Sequence, residues 1–200
     1  RLLQPYAFEM LAVLVEHGNS VSEIDAALRD DLGMAMGPFA MADLAGNDIS
    51  YNIRREQGWV RRDDDGSTSN TRPSRYSELA DNLVTQLGRL GQKVGKGWYD
   101  YDAPNSRTPR PSPDVMEFCR LYLVQPPKPP LSSAEIIERL LYPLVNEGFK
   151  CLEEGVARCP SDIDVVYLYG YGWPAWRGGP MYWADHDVGL DVVLDKLREF

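Results

Sequence analysis

The residue types that most often carry catalysis are few and scattered in this chain. Neither of its two histidines, His17 and His186, has a serine or cysteine nucleophile at a suggestive spacing. Two histidines so far apart also form no metal-binding motif. The cysteines Cys119, Cys151 and Cys159 have no CxxC spacing, and their odd number favours free thiols in a reducing compartment. The sequence therefore predicts no catalytic set and no metal site of its own.

A glycine-rich run from Gly91 to Gly97 places Lys93 and Lys96 among three glycines. Exposed backbone N–H groups and two ammonium groups suit a phosphate or pyrophosphate. The run lacks the preceding strand and following helix of a dinucleotide fingerprint, so it is not a Rossmann turn. The alternative is a turn that leads into an aromatic anchor at residues 98–101, and the sequence leaves both interpretations open.

A second dense run, from Tyr169 to Pro180, holds four glycines, four aromatic residues and an arginine within twelve positions. Glycine lets backbones approach closely, and aromatic rings give flat apolar walls with polar tips. The run is interpreted as a packing loop between two helices in preference to the wall of an acyl or nucleotide pocket. For Asp43 and Asp185, a helix cap or an inter-helix hydrogen bond is likewise preferred to a chemical role.

The helices that position these runs are predicted from apolar periodicity, capping patterns and prolines. Apolar residues at three- and four-residue spacing predict a first helix to about Glu16, which Gly18 ends in a left-handed cap. Ser20 with a glutamate three residues on has the pattern of a capping box. Pro38 begins a short third helix, and Gly46 ends it.

Further along, residues 57–76 are predicted to form a long polar loop, and Ser77 caps the helix that follows. The proline-rich stretches 102–113 and 125–130 are predicted to be linkers. A second capping box at Ser132 opens a long helix, in which Pro143 should produce a kink.

The same order of elements occurs twice, which predicts a duplicated all-α fold whose two helical copies pack on each other. The copies are assigned to residues 1–125 and 126–200, and the first carries an extra segment at about 55–101. The matching positions are 1–5 with 139–143, Glu9 with Glu147, Glu16 with Glu154, 23–25 with 162–164, 37–39 with 179–181, and Asp43 with Asp185.

The formal net charge of −9 and a pI near 4.7 argue against nucleic acid or an anionic membrane surface as partner. We identify no apolar run long enough to span a membrane and no signal peptide. The chain begins without Met, inside the apolar pattern of its first helix, so we expect a further N-terminal portion to precede Arg1.

Taken together, these motifs resemble the C-terminal domain of 3-hydroxyacyl-CoA dehydrogenases, and the second copy is similar to the final domain of multifunctional fatty acid β-oxidation enzymes. The segments that carry the resemblance are 1–5, 36–39 with Asp43, 91–101, 146–147, 162–166, 169–174 and 178–180.

The resemblance implies NAD-dependent oxidation of (3S)-hydroxyacyl-CoA to 3-ketoacyl-CoA. In that family a His–Glu pair on a Rossmann domain does the chemistry, and an enoyl-CoA hydratase domain comes before it in multifunctional chains. The expected role of this chain is therefore the substrate-cleft and interdomain-packing part, inactive alone, with NAD bound mainly by an upstream domain. The expected location is cytoplasmic for a bacterial protein and peroxisomal for a eukaryotic one.

The resemblance also implies roles for single residues. Lys93 matches a lysine that contacts NAD, and Tyr169 matches a position that contacts substrate. The segment Met36, Gly37, Pro38 and Phe39 matches the helix start that lines the acyl cleft. Single-activity relatives pair through their helical domains, so the second copy could take the partner's place within one chain, and a homodimer is also considered. The alternative from another functional class is a non-catalytic helical interaction or dimerisation module.

Overall fold

The computed structural model describes residues 1–61, 68–69 and 71–200. These ranges contain ten α-helices and one short antiparallel ladder of two strands. The α-helices are α1 Leu3–Ala12, α2 Val21–Ala26, α3 Pro38–Ala45, α4 Asn47–Glu56, α5 Leu79–Thr85, α6 Pro113–Arg120, α7 Ser133–Glu153, α8 Pro160–Gly170, α9 Pro180–Trp183 and α10 Leu190–Glu199. The strands are β1 Tyr99–Asp100 and β2 Arg110–Pro111. Single π-helical turns extend α1, α2 and α9 at Val13–His17, Ala27–Leu32 and Ala184–Val188.

The end of the first helix, the start of α2 and both ends of α3 lie where the sequence predicts them, whereas α4 was not identified from the sequence. Gly18, with φ of 72°, ends the turn that extends α1. The Ser20 N–H donates to the Glu23 carboxylate at 2.7 Å, and the Glu23 N–H donates to Ser20 Oγ at 3.2 Å, which completes the capping box. Pro38 is the first residue of α3, and Gly46, with φ of 100°, follows its last residue.

The first predicted linker, 102–113, is more structured than its proline content indicates. Its end forms β2, which pairs with β1, and the linker leads directly into α6. α6 was missed because Pro113 resembles a helix breaker, whereas proline is well tolerated in the first turn of a helix. Val115 and Phe118 anchor this helix in the core.

The second linker, 125–130, is held against the end of the first helix. The Lys128 N–H donates to the Glu16 carbonyl at 2.8 Å, and the Lys128 ammonium contacts the Glu16 carboxylate at 3.0 Å. The ring of His17 lies 2.7 Å, by its Nδ1 atom, from the carbonyl oxygen of Pro129. This histidine therefore has a structural partner.

The long helix of the second copy begins at the predicted capping box. The Ser132 N–H donates to Glu135 at 2.8 Å, and the Glu135 N–H donates back to Ser132 Oγ at 3.4 Å. α7 then continues past Pro143, where a kink is predicted, and remains one helix as far as Glu153.

Both copies use the same contact to fix their Gly-Pro helix, which confirms the duplication in three dimensions. Asp25 accepts hydrogen bonds from the N–H groups of Phe39 and Ala40 at 2.8 and 3.0 Å. Asp164 accepts from the N–H of Met181 at 2.7 Å and from that of the next residue at 3.3 Å. In each copy a carboxylate from one helix thus satisfies the free N–H groups that begin another.

Matching glycines allow this close approach. A Cβ atom on Gly37 would overlap Asp25, and one on Gly179 would overlap Asp164. A further pair, Gly46 and Gly189, adopts nearly the same backbone, with φ of 100° and 97° and ψ of 115° and 125°, before α4 and α10. Residues other than glycine rarely adopt such a positive φ.

The copies pack on each other, as the sequence predicts, and the contact is made mainly by α1 and α7. The ion pairs across it are reciprocal. Arg139 of the second copy lies 2.8 Å from Glu9 and 3.9 Å from Glu16 of the first. Arg1 of the first copy pairs with Glu147 and Glu154 of the second. Because these are matching positions of the repeat, the interface has the pattern of a two-fold axis within one chain.

One continuous hydrophobic core serves both copies. Its fully buried side chains include Ile24, Leu28 and Phe39 from the first copy and Leu140, Leu144 and Val145 from the second. All three cysteines are free, as predicted, with Cys119 and Cys151 buried and Cys159 exposed. Among the described residues, no helix has both the length and the apolar character needed to cross a membrane.

Candidate functional site

An open cleft of about 500 Å³ lies between α1, α3 and α4 of the first copy. Its walls are mostly apolar and come from residues three or four positions apart on each helix. They are Leu3, Ala7, Met10 and Leu11 of α1, Pro38, Met41, Ala42 and Ala45 of α3, and Ser50, Ile53 and Arg54 of α4. A concave apolar space of this size is typical of a site for a small molecule.

Aromatic rings close one end of the cleft. Trp59 and Tyr76, which border the predicted polar loop, pack with Phe8 of α1 at centroid distances of 6.1 to 6.4 Å. Part of that loop, residues 62–67 and 70, lies outside the described residues. Where it is described, the loop is anchored by these rings, because large aromatic surfaces contribute strongly to burial.

The cationic side chain on the α4 wall is already engaged. Arg54 donates to Asp81 at 2.8 Å, and the hydroxyl of Tyr76 donates to the same carboxylate. Asp81 is only 3% exposed, so the Arg54 guanidinium balances a buried charge and the Tyr76 hydroxyl adds a hydrogen bond to it. Burial and the neighbouring carboxylate raise the pKa of Tyr76 above its usual range, so its hydroxyl stays protonated.

The glycine-rich run is fixed beside the cleft by Asp43. This buried carboxylate accepts hydrogen bonds from the N–H groups of Trp98 and Tyr99 at 2.7 and 3.0 Å and from the Tyr101 hydroxyl at 2.9 Å. A Cβ atom on Gly97 would overlap the carboxylate, which explains the glycine. Burial raises the pKa of Asp43, and its hydrogen bonds act against that shift. The run therefore leads into an aromatic anchor, one of the two interpretations left open by the sequence.

The backbone of the run does not form an open phosphate cradle. The N–H groups of residues 91 and 94–96 donate to backbone carbonyls of the run at 2.7 to 3.2 Å, and the Gly97 N–H donates to the Tyr99 carbonyl at 2.8 Å. These donors are therefore occupied, and the backbone argument for a phosphate site has no support in the structure.

Lys93 stands at the tip of the run, in the short 3₁₀ turn Gln92–Val94. Its ammonium lies 2.6 Å from both carboxylate oxygens of Asp48, in the first turn of α4. The Lys93 side chain is 44% exposed, so it can reach a ligand outside the fold. The ion pair lowers the pKa of Asp48.

The second copy differs in the packing of its last helix. α10, which matches α4, packs on α7, and its Val193 is buried. Lys196 lies 4.0 Å from Glu138, and the Arg139 guanidinium lies 4.4 Å from the centre of the Phe200 ring. The two copies therefore share a skeleton, whereas the open cleft is lined mainly by the first copy, with Tyr171 of the second copy also in its wall.

A family model described as the C-terminal domain of 3-hydroxyacyl-CoA dehydrogenase matches residues 1–101 and 136–200. The chain belongs to this family. The two matched segments include both copies and leave out α6 and the two proline-rich stretches around it.

Curated relatives of this dehydrogenase family align with the whole chain. The peroxisomal bifunctional enzymes of Cavia porcellus and Homo sapiens are each 43% identical to it. The glyoxysomal fatty acid beta-oxidation multifunctional protein MFP-a of Brassica napus is 32% identical. The chain spans 28% of the length of the first two relatives and 26% of the third.

Solved structures agree with the family assignment. The dehydrogenase part of multifunctional enzyme 1 from C. elegans superposes with a TM-score of 0.67 and 27% identity, over 86% of this chain and 36% of that one. The 3-hydroxybutyryl-CoA dehydrogenase of Escherichia coli gives a TM-score of 0.61 over 100% of this chain and 55% of that one. Its identity of 21% supports a common fold alone.

The dehydrogenase motif Met36–Phe39 is only partly at the cleft. Pro38 is one of the residues that line it. Gly37 is packed against Asp25, and Phe39 is fully buried with its ring centroid 4.7 Å from that of Trp98. Phe39 lies behind the wall with no exposed surface, and a ligand contact from it stays a prediction. Met36 is half-buried and precedes the wall.

Tyr169 is not one of the residues that line this cleft, and it is 89% exposed near the end of α8. Tyr171, two residues further along, does line the cleft. A substrate contact from Tyr169 stays a prediction for a ligand that extends beyond the cleft. Most of the cleft residues were not identified from the sequence. Small residues on an accessible helix face, such as Ala42 and Ala45, were the available signal.

Proposed function

We propose that this chain forms the acyl-binding and interdomain-packing part of an NAD-dependent (3S)-hydroxyacyl-CoA dehydrogenase that acts in fatty acid β-oxidation. The observation that carries the proposal is the apolar cleft of about 500 Å³ in the first copy. Its walls suit an acyl chain, which loses contact with water on entry. The names of the relatives support β-oxidation as the process.

The hydride transfer itself is assigned to groups outside this chain. No acid–base pair and no metal-binding cluster lines the cleft among the described residues. For NAD, the described residues offer one edge contact, through the partly exposed ammonium of Lys93. We therefore propose that a nucleotide-binding domain supplies the catalytic pair and most of the NAD site, and that a hydratase domain accompanies it, as the bifunctional names of relatives suggest.

The second copy is proposed to replace a partner subunit. The reciprocal ion pairs of Arg1 and Arg139 support this, since matching contacts are the property of a two-fold dimer interface. The division into units 1–125 and 126–200 belongs to the same proposal. A peroxisomal location is proposed from the names of the relatives, and a homodimer of the full-length protein stays a prediction.

The test is an activity assay on the full-length gene product that contains this chain. We expect NADH to form from NAD and 3-hydroxyacyl-CoA with the full-length product, and not with the isolated 200-residue chain. Turnover by the isolated chain would refute the division of labour. Absence of NAD-dependent oxidation by the full-length product would favour the alternative of a non-catalytic helical interaction module.

A cleft-filling variant tests the acyl site separately. Ala45→Trp places a large ring in the cleft from an exposed position of α3, so the fold should tolerate it. We expect its KM to rise more for long 3-hydroxyacyl-CoA substrates than for the four-carbon one. Ala134→Trp, at an exposed position of α7 outside the cleft, is the matched control and should change neither value. An equal change for all chain lengths would place the acyl chain elsewhere.

A further inference from the structure

The ion pair between Asp48 and Lys93 joins α4 to the glycine-rich run of the first copy. Asp48 lies in the first turn of α4, and Lys93 lies at the tip of the glycine-rich run. Both oxygens of the carboxylate are 2.6 Å from the same ammonium nitrogen. An ammonium group carries three N–H donors, so a bidentate partner leaves one donor available for a ligand.

The pair contributes more to position than to stability. The side chains of Lys93 and Asp48 are 44% and 29% exposed, and ion pairs at that exposure contribute little to folding. A free lysine side chain samples many rotamers, and fixing it costs conformational entropy when a ligand binds. The ion pair with Asp48 already restricts the Lys93 side chain in the folded protein, so less conformational entropy is lost when a ligand binds.

Both ends of the pair rest on rigid supports. Gly46 has φ of 100°, and a Cβ atom there would lie 3.0 Å from Asp48 Oδ1 and 3.5 Å from Lys93 Nζ, so the turn brings the two elements into close contact. The glycine-rich run is held in turn by the buried Asp43. The ammonium is therefore located by two independent anchors.

The second copy provides an internal comparison. Its Gly189 has φ of 97° and is followed by Asp191, at the position that matches Asp48. Within the described ranges Asp191 has no ion pair, because the second copy has no counterpart of the segment 91–97 that carries Lys93. The Asp–Lys pair thus occurs in the copy that keeps an open cleft.

Resting on the proposed function, we propose that Asp48 is a positioning residue that presents the Lys93 ammonium to an oxygen of the bound nicotinamide dinucleotide. Asp48 itself carries a negative charge and repels the dinucleotide phosphates. Removal of the Asp48 carboxylate therefore distinguishes two possible roles of Asp48 by whether the affinity for NAD falls or rises. A positioning role predicts weaker NAD binding after removal, whereas simple masking of the lysine charge predicts tighter binding.

The experiment measures the Kd of NAD and the KM values of NAD and 3-hydroxyacyl-CoA for full-length variants. We expect Asp48→Ala to weaken NAD binding roughly 5- to 10-fold, equivalent to about 1 kcal/mol. Lys93→Met should weaken it at least as much, and the double variant should match Lys93→Met alone. The KM for 3-hydroxyacyl-CoA should stay constant, which loss of folding would not allow. Asp48→Glu, which keeps the carboxylate, should recover part of the affinity.

Asp191→Ala is the matched control, because it removes the same side chain from the same turn of the second copy. It should leave NAD binding unchanged. Unchanged or tighter NAD binding by Asp48→Ala, with a clear loss in Lys93→Met, would overturn the positioning role and leave the proposed function intact. Unchanged NAD binding in Lys93→Met would overturn the positioning role as well. Failure of the unmodified full-length protein to oxidise the substrate would refute the proposed function instead.

Discussion

At the scale of single residues, two buried carboxylates hold separate segments of the backbone together. Asp25 and Asp43 each collect hydrogen bonds from two backbone N–H groups and from a tyrosine hydroxyl. These acids hold a helix start and the glycine-rich run in place. Their isolation from solvent has a cost, since burial favours the uncharged form of a carboxyl group.

The buried Asp25 predicts how the free energy of unfolding changes with pH. Burial raises its pKa from 3.8 to about 6, against the effect of its hydrogen bonds. Below pH 4 the group is neutral in both the folded and unfolded states, and above pH 6 it is charged in both. Its contribution to the free energy of unfolding therefore falls as the pH rises through this window, by up to about 3 kcal/mol. Asp25→Asn should remove that dependence, as measured by urea unfolding at pH 4 to 6.

Asp30→Asn is the control for the pH experiment. The neighbouring Arg29 lowers the pKa of Asp30, so its linkage has the opposite sign. The variant should not flatten the profile between pH 4 and 6. A profile of Asp25→Asn that remains parallel to the unmodified protein would contradict a raised pKa at Asp25.

At the scale of elements, local capping signals located several helix starts, whereas α4 and α6 were not identified from the sequence. Ser20, Pro38 and Ser132 predicted helix starts correctly, because capping and the fixed φ of proline act within a few residues. α6 was missed, and the cleft could not be derived, because its walls come from three helices whose relative placement depends on tertiary packing. In the second copy the matching helix α10 packs on α7, so the same skeleton permits a different packing of this helix.

The glycine-rich run yields a prediction at this scale. Gly97→Ala would place a methyl group on the Asp43 carboxylate, so the run must shift away from its anchor. We expect a loss of roughly 1–3 kcal/mol in unfolding free energy, as for an overpacked core. Gly170→Ala, where an added Cβ meets no atom within 4 Å, is the control and should be neutral or slightly stabilising. Equal effects of the two changes in thermal unfolding would refute the anchor.

At the scale of the whole molecule, the matching arginines Arg1 and Arg139 occupy unequal environments. Arg139 is buried with Glu9, whereas the side chain of Arg1 is 39% exposed. Arg139→Ala would leave Glu9 with Arg75 as its remaining partner, so we expect a loss of about 2–4 kcal/mol in denaturant unfolding. Arg1→Ala should have a clearly smaller effect, since exposed pairs contribute little. Losses of the same size would contradict the unequal burial.

The reciprocal interface also bears on how such a molecule changes over time. In a dimer of identical subunits, each substitution at the two-fold axis occurs twice, so a change that suits one side is imposed on the other. Here Arg1 and Arg139 are separate codons of one chain. Each half can therefore accumulate changes independently. A substitution in the cleft walls of α1, α3 or α4 therefore leaves the matching position of the second copy unchanged.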